Sequence, residues 1–270
     1  VSATDTGEAA ADRLAPTPSS GPELAGRTAI VTGASRNIGR AIAEALAAGG
    51  ASVVVNYKDA GDRAADTVRA IEARGGRALA IAADVTDRAA VDRMVEAAAA
   101  AFGPPTILVN NASIRQEWPF ETLSFADWRA ILDPILDGAF HVSQAVIPHM
   151  LAAGGGAIVN IGGETGHSGA RERAHVVAAK AGLAGFTKAL ALEFADRAIT
   201  VNTVVPGAMD TADSHMVRHP GSTFKAKRMP PVGRRGAPWE VAAMVRHLAG
   251  PAGRYVTGQS IHLNGGHYLP

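Results

Sequence analysis

Two stretches hold most of the residues whose types and spacing could do chemistry. The first, Thr32-Gly33-Ala34-Ser35-Arg36-Asn37-Ile38-Gly39, follows an apolar run and opens a helical one. Small residues there let the backbone approach a pyrophosphate, whose charge is met by free N–H groups at the helix N-terminus. The same residues suit a plain strand-to-helix turn, and it is the strand-turn-helix setting that favours the phosphate reading. The second stretch, from Gly162 to His175, is glycine-rich and carries Glu164, Arg171, Arg173 and His175. A carboxyl such as Glu164 becomes a useful acid or base where burial raises its pKa, and is an ordinary solvated charge otherwise. His175 is either a proton shuttle near neutrality or a packed, hydrogen-bonded histidine at a subunit contact. Arg171 and Arg173 match a carboxylate or phosphate in a bidentate fork, or are surface charges.

Other chemistries are excluded or unsupported. The 270 residues include no cysteine, so disulfides, thiolate metal sites and thiol catalysis are out. The histidines lack the paired helical spacing of a metal site, and no nucleophilic triad is suggested. Lys and Arg number 26 against 25 Asp and Glu, which gives no global field for nucleic acid or an anionic membrane. A cytoplasmic protein is the matching expectation.

The elements that must position these residues alternate. Short apolar runs begin at Thr28, Ala51, Ala78, Thr106, Ala157, Ile199 and Ser260, separated by long Ala-rich helical stretches. Continuous rather than alternating apolar character suits strands covered on both faces, with helices as crossovers. The expected fold is α/β: a doubly wound, seven-stranded parallel sheet of the Rossmann kind, one dinucleotide-binding domain over residues 25–270 behind a disordered leader of residues 1–24. Pro134 predicts a kink or a broken first turn within 125–151. Residues 209–236 read as a mobile flap, whose His215, Arg218, His219, Lys225, Lys227 and Arg228 would favour an anionic substrate or are simply solvated.

With the glycine turn, Asp84 after the third strand, Asn110-Asn111-Ala112 after the fourth, Lys180 in a helix, Pro206-Gly207 after the sixth and Gly265-Gly266 near the end, residues 25–270 resemble the classical short-chain dehydrogenase/reductase family, of the 3-oxoacyl-carrier-protein-reductase type. The resemblance implies a nicotinamide dinucleotide held by Gly33, Ser35, Arg36, Asn37, Ile38 and Gly39. Asp84, with Val85 beside it, would accept from the adenine, and Asn110, Asn111 and Ala112 would bracket its ribose. Pro206, Gly207, Met209 and Thr211 would meet the nicotinamide and Lys180 its ribose. Asn37 stands where the family often has glycine, and Ser113 replaces the last glycine of its NNAG. The second strand ends in Asn56-Tyr57-Lys58 rather than in an acid. Without an acid to repel a phosphate, and with Arg36 able to pair with one, NADP(H) is expected over NAD(H), unless Arg36 and Lys58 are merely solvated. The family usually forms dimers or tetramers, and the resemblance implies a homotetramer through helices near 126–152 and 174–195.

The same resemblance places catalytic roles four and seventeen residues before Lys180 and in the preceding helix, where this chain has Val176, Gly163 and Ile135 instead of the family's Tyr, Ser and Asn. The only tyrosines, Tyr57, Tyr255 and Tyr268, lie elsewhere. Losing a positioned acid forfeits roughly 10²–10⁴-fold in rate, while hydride chemistry belongs to the cofactor. The leading expectation is an NADP(H)-dependent reductase of a small, possibly anionic, carbonyl or imine compound, with Lys180 on the ribose and Glu164 or His175 as substitute donor. A non-redox isomerase, dehydratase or cyclase in the same pocket, or a catalytically silent cofactor-binding subunit, are the alternatives.

Overall fold

The computed structural model describes residues 22–211, 217–218, 222 and 229–270. The seven apolar runs form seven parallel strands: β1 Thr28–Val31, β2 Ser52–Tyr57, β3 Arg77–Ala82, β4 Pro105–Asn110, β6 Gly156–Ile161, β7 Ile199–Pro206 and β9 Ser260–Leu263, in the order β3-β2-β1-β4-β6-β7-β9. Neighbours within one strand serve opposite faces. Ala29 and Val31, Val53 and Val55, and Ile107 and Val109 pack on one side, while Ile30, Val54 and Leu108 pack on the other. This double burial is why the strands read as unbroken apolar runs.

Helices α1 Asn37–Ala48, α2 Gly61–Glu72 and α8 Pro238–Ala249 cover the first face. Helices α3 Arg88–Phe102, α5 Gly138–Ala152 and α7 Ala174–Phe194 cover the second. The chain reverses its direction across the sheet between β1 and β4, and this switch point opens a crevice at their carboxyl ends.

The structure corrects the expected boundary of the leader and adds detail elsewhere. Ordered packing begins before residue 25: Leu24 is fully buried in the core and Glu23 pairs with Arg246 of α8, whereas residues 1–21 lie outside the described residues. The helix expected near 126–152 is α4 Phe125–Leu132, a π-helical turn at Asp133–Asp137 and α5, so Pro134 is absorbed by a wider turn rather than breaking the helix. Two short strands that no apolar run announced, β5 Gln116–Glu117 and β8 Val217–Arg218, pair in a separate sheet. Of the flap, Met209 and Gly236 are bridged at its base; His215, His219, Lys225, Lys227 and Arg228 lie outside the described residues, and only the backbone of Arg218 is described. Among the described residues no helix is long and apolar enough to cross a membrane.

Candidate active site

The crevice between β1 and β4 is built mostly from backbone. Gly33 adopts φ 60°, and a Cβ there would lie 3.0 Å from Ala112 Cα. A Cβ on Gly39 would come within 2.4 Å of Gly33 O, so the turn closes only around glycine. Asn37 takes φ 49°, a left-handed conformation that asparagine tolerates better than most side chains. Asp87 caps α3 and Ser124 caps α4 by accepting from backbone N–H groups. At α1 the N-cap residue Arg36 makes no such bond, and the first turn holds no acid. Its leading N–H groups are left facing the crevice, which suits a dinucleotide pyrophosphate.

Several residues expected to touch the cofactor also hold the turn. Asn56 is buried; its Oδ1 accepts from Gly33 N at 3.2 Å and its Nδ2 donates to Ala83 O at 3.0 Å. It therefore braces the turn from beneath, and Tyr57 and Lys58 follow it at this strand end. Asn111 Nδ2 donates to Thr32 O and Gly33 O at 2.9 and 3.0 Å, and Thr32 Oγ1 accepts from Asn111 N and Ala112 N. The side chain of Asn110 also reaches inward: its Nδ2 donates to Asn160 Oδ1 at 2.8 Å and to Ser143 Oγ at 3.1 Å, while its Oδ1 is buried without a partner among the described residues. Asn160 Nδ2 continues this buried chain to Thr187 Oγ1, itself 2.7 Å from Thr203 Oγ1.

At the adenosine end Asp84 holds Thr86 N and Thr86 Oγ1 with one oxygen and Lys58 Nζ, at 2.8 Å, with the other. Thr86 and Lys58 together hold its carboxyl below the usual range despite partial burial. Arg36 is exposed and has no ion pair among the described residues. Val85 and Ile38 are core residues flanking the crevice, and Ser35 is half-buried in the turn.

The other end is a corner between β6, α7 and β7. Lys180 is 7% exposed and its Nζ donates to Ile161 O at 2.6 Å. Burial and the nearby charge of Arg115 push the ammonium down to about 7. A Cβ on Gly163 would lie 3.7 Å from Lys180 Cγ, so position 163 faces the lysine as the resemblance implies. Val176 and Ile135, at the other two positions, belong to one apolar cluster with Ile131, Ala139, Ala179 and Leu183. The corner presents hydrocarbon where the family presents hydroxyl and amide groups.

The two substitute donors fall on either side of this corner. Glu164 is 3% exposed, and its Oε1 lies 2.8 Å from Nδ1 of His267, near the end of the chain. Its Oε2 lies beside Gly207, where a Cβ would meet it at 3.0 Å. The carboxyl thus joins the loop after β7 to the tail after β9. His175 is fully buried, neither ring nitrogen has a hydrogen-bond partner among the described residues, and the charges that reach it are those of Asp127 and Arg173. Burial lowers its pKa, so it stays neutral and sealed from solvent, which removes it as a proton shuttle. Arg173 is tied to the buried Glu117, and Arg171 is exposed. Pro206 and Met209 are buried, Gly207 N donates to Leu263 O, and Thr211 is half-buried at the flap's start.

Arg115 was not singled out by its sequence setting. Only its proximity to Lys180 in space marks it, and no spacing in the chain encodes that. The described residues contain no cluster of three or more His, Asp or Glu able to hold a metal ion.

The family model for enoyl-(acyl carrier protein) reductase matches residues 33–268, and the chain belongs to the short-chain dehydrogenase/reductase family. It is 40% identical over 245 residues to a 3-oxoacyl-(acyl-carrier-protein) reductase of Synechocystis, covering 90% of this chain and 97% of that one. Among solved structures, a short chain dehydrogenase from Burkholderia cenocepacia in complex with NADP superposes with a TM-score of 0.83 at 38% identity, covering 91% of this chain and 99% of that one. A blue fluorescent protein from a metagenomic library in complex with NADPH gives 0.82 at 36%, covering 92% and 100%.

Proposed function

We propose that this protein is an NADP(H)-dependent oxidoreductase of the short-chain type that reduces a small carbonyl or imine compound, with Lys180 as its acid. When bound, the reduced nicotinamide supplies the hydride. Arg36, exposed and without an ion pair among the described residues, favours a 2′-phosphate, and the second strand ends in Asn56-Tyr57-Lys58 rather than in an acid. Similarity to two structures holding NADP and NADPH supports the same choice.

The observation that carries the reading is Lys180 itself. It is buried and poised near neutrality, and the wall beside it is formed by Gly163 and Val176, neither of which offers a competing proton. A catalytic acid works best with a pKa near the operating pH. As the carbonyl carbon gains hydride, the oxygen takes the proton from Lys180 Nζ, giving the alcohol, and the neutral amine regains a proton from solvent. Glu164 then holds the tail through His267, packs beside Gly207 and moves no proton. Assembly as a homotetramer through α5 and α7 is supported by Phe140 and Leu192, exposed on those helices.

NADPH consumption, followed at the nicotinamide absorbance band across a panel of carbonyl and imine acceptors, tests this. Turnover is expected below pH 7, falling as pH rises through about 7 and Lys180 loses its proton. Lys180→Gln is expected to lower kcat by roughly 10²–10⁴-fold. NADPH that binds but is consumed with no acceptor at any pH would sink the reading.

A further inference from the structure

Gly163, whose Cβ position faces Lys180, is followed at once by Glu164, a buried carboxylate that meets two other segments. Glu164 N donates to Pro206 O at 3.2 Å, and its Oε2 lies 3.0 Å from where a Cβ on Gly207 would stand, so the residue is seated on the loop after β7. Its Oε1 lies 2.8 Å from Nδ1 of His267, in the tail after β9. A carboxylate only accepts, so the histidine donates.

The tail is fixed from its own side as well. Gly207 N donates to Leu263 O at 2.9 Å, and a Cβ on Gly207 would come within 2.7 Å of Asn264 Cα, so loop and tail meet backbone to backbone. Asn264 is buried; its Nδ2 donates to Tyr268 O at 2.6 Å and its Oδ1 accepts from Gly266 N at 3.0 Å, which pins the tail on either side of His267. The ring of Tyr268 sits 5.4 Å from that of His262 on β9 and 6.4 Å from that of His167, on the short helix α6 Thr165–Ser168 that follows Glu164. One carboxylate thus joins the loop facing Lys180, the loop after β7 and the tail.

A carboxylate is kept out of water only where its oxygens are met, and a binding geometry is as precise as the shell that supports it. In a doubly wound sheet the two halves of a dinucleotide lie on either side of the switch point. With β3 and Asp84 at the adenosine end, the ends of β6 and β7 fall to the nicotinamide half. We infer that His267 is a positioning residue for that half: acting through Glu164, it holds the Gly163 and Gly207 backbones at the spacing that the bound nicotinamide needs. The inference rests on the cofactor reading of the same cleft and adds to it a residue from the far end of the fold.

The effect is expected in one half of the cofactor only. NADPH and adenosine 2′,5′-bisphosphate, which carries the adenosine half alone, are titrated by calorimetry against the parent, His267→Ala and His267→Asn. His267→Ala is expected to weaken NADPH about tenfold or more while the bisphosphate stays within about twofold. In His267→Asn an amide N–H takes the place of Nδ1–H, and most of the NADPH affinity is expected to return. If His267→Ala fails to fold, His267→Leu reads the same ratio, with the bisphosphate reporting an intact adenosine end. Equal weakening of both probes, or NADPH affinity unchanged in His267→Ala or His267→Leu, overturns the inference. A parent that binds neither probe removes the cofactor reading and the inference with it. A parent that shows the split yet consumes no NADPH with any acceptor keeps the positioning role and removes the reductase reading.

Discussion

The glycine turn after β1 and the corner around Lys180 border the same cleft but are made of different material. The turn presents N–H groups and bare Cα positions, and its side chains, Asn56 and Asn111, are spent on holding the backbone in shape. The corner presents side chains: a lysine and a wall of hydrocarbon. A backbone site tolerates little substitution, because any Cβ at Gly39 intrudes on Gly33 O. A side-chain site is exchangeable one residue at a time without disturbing the fold. The difference explains how a chain keeps the whole cofactor frame while its catalytic positions hold Val176, Gly163 and Ile135.

The sharpest way to break this contrast is at Gly39. Gly39→Ala is expected to abolish NADPH binding and to destabilise the protein by about 1–3 kcal/mol, seen as a lowered Tm, because the new methyl displaces backbone rather than a flexible side chain. Unchanged affinity would mean that the turn is less rigid than its bonds imply. Arg36→Glu comes next, since a side chain does contribute at the adenosine end: its preference for NADPH over NADH in paired binding titrations is expected to fall about tenfold or more. The smallest effect is expected at Glu164→Gln, which keeps the shape and a contact with His267. Its kcat is expected to stay within about threefold of the parent with the same fall through pH 7, whereas a loss of roughly 10²-fold would return the proton-donor role to Glu164.

The sheet was legible in the sequence because its central strands are buried on both faces, so runs such as Val53-Val54-Val55 announce themselves without any alternation. The glycine turn was legible for the same local reason. Asn56 and Asn110 were not, because a polar residue at a strand end reads alike whether its amide faces a ligand or the neighbouring backbone; only the partner strands decide, and those come from elsewhere in the chain. His175 illustrates a second limit. Beside Val176 it has the right chemistry, yet helix geometry turns it into the interior. Glu117 shows the third, since its pairing with Arg173 depends on the loop after β4 docking against the start of α7.

The buried chain from Ser143 through Asn110, Asn160 and Thr187 to Thr203 joins α5, β4, β6, α7 and β7 by side-chain bonds that solvent cannot replace while the interior is closed. None of these five elements can open alone without orphaning a polar group in its neighbours. They are expected to open as one block, their amide hydrogens exchanging together, and later than those of the outer strands β3 and β9, whose residues are exposed or half-buried. Lys180 stands on α7, one of the five, so the proposed acid is anchored to the element whose opening would cost most polar pairs.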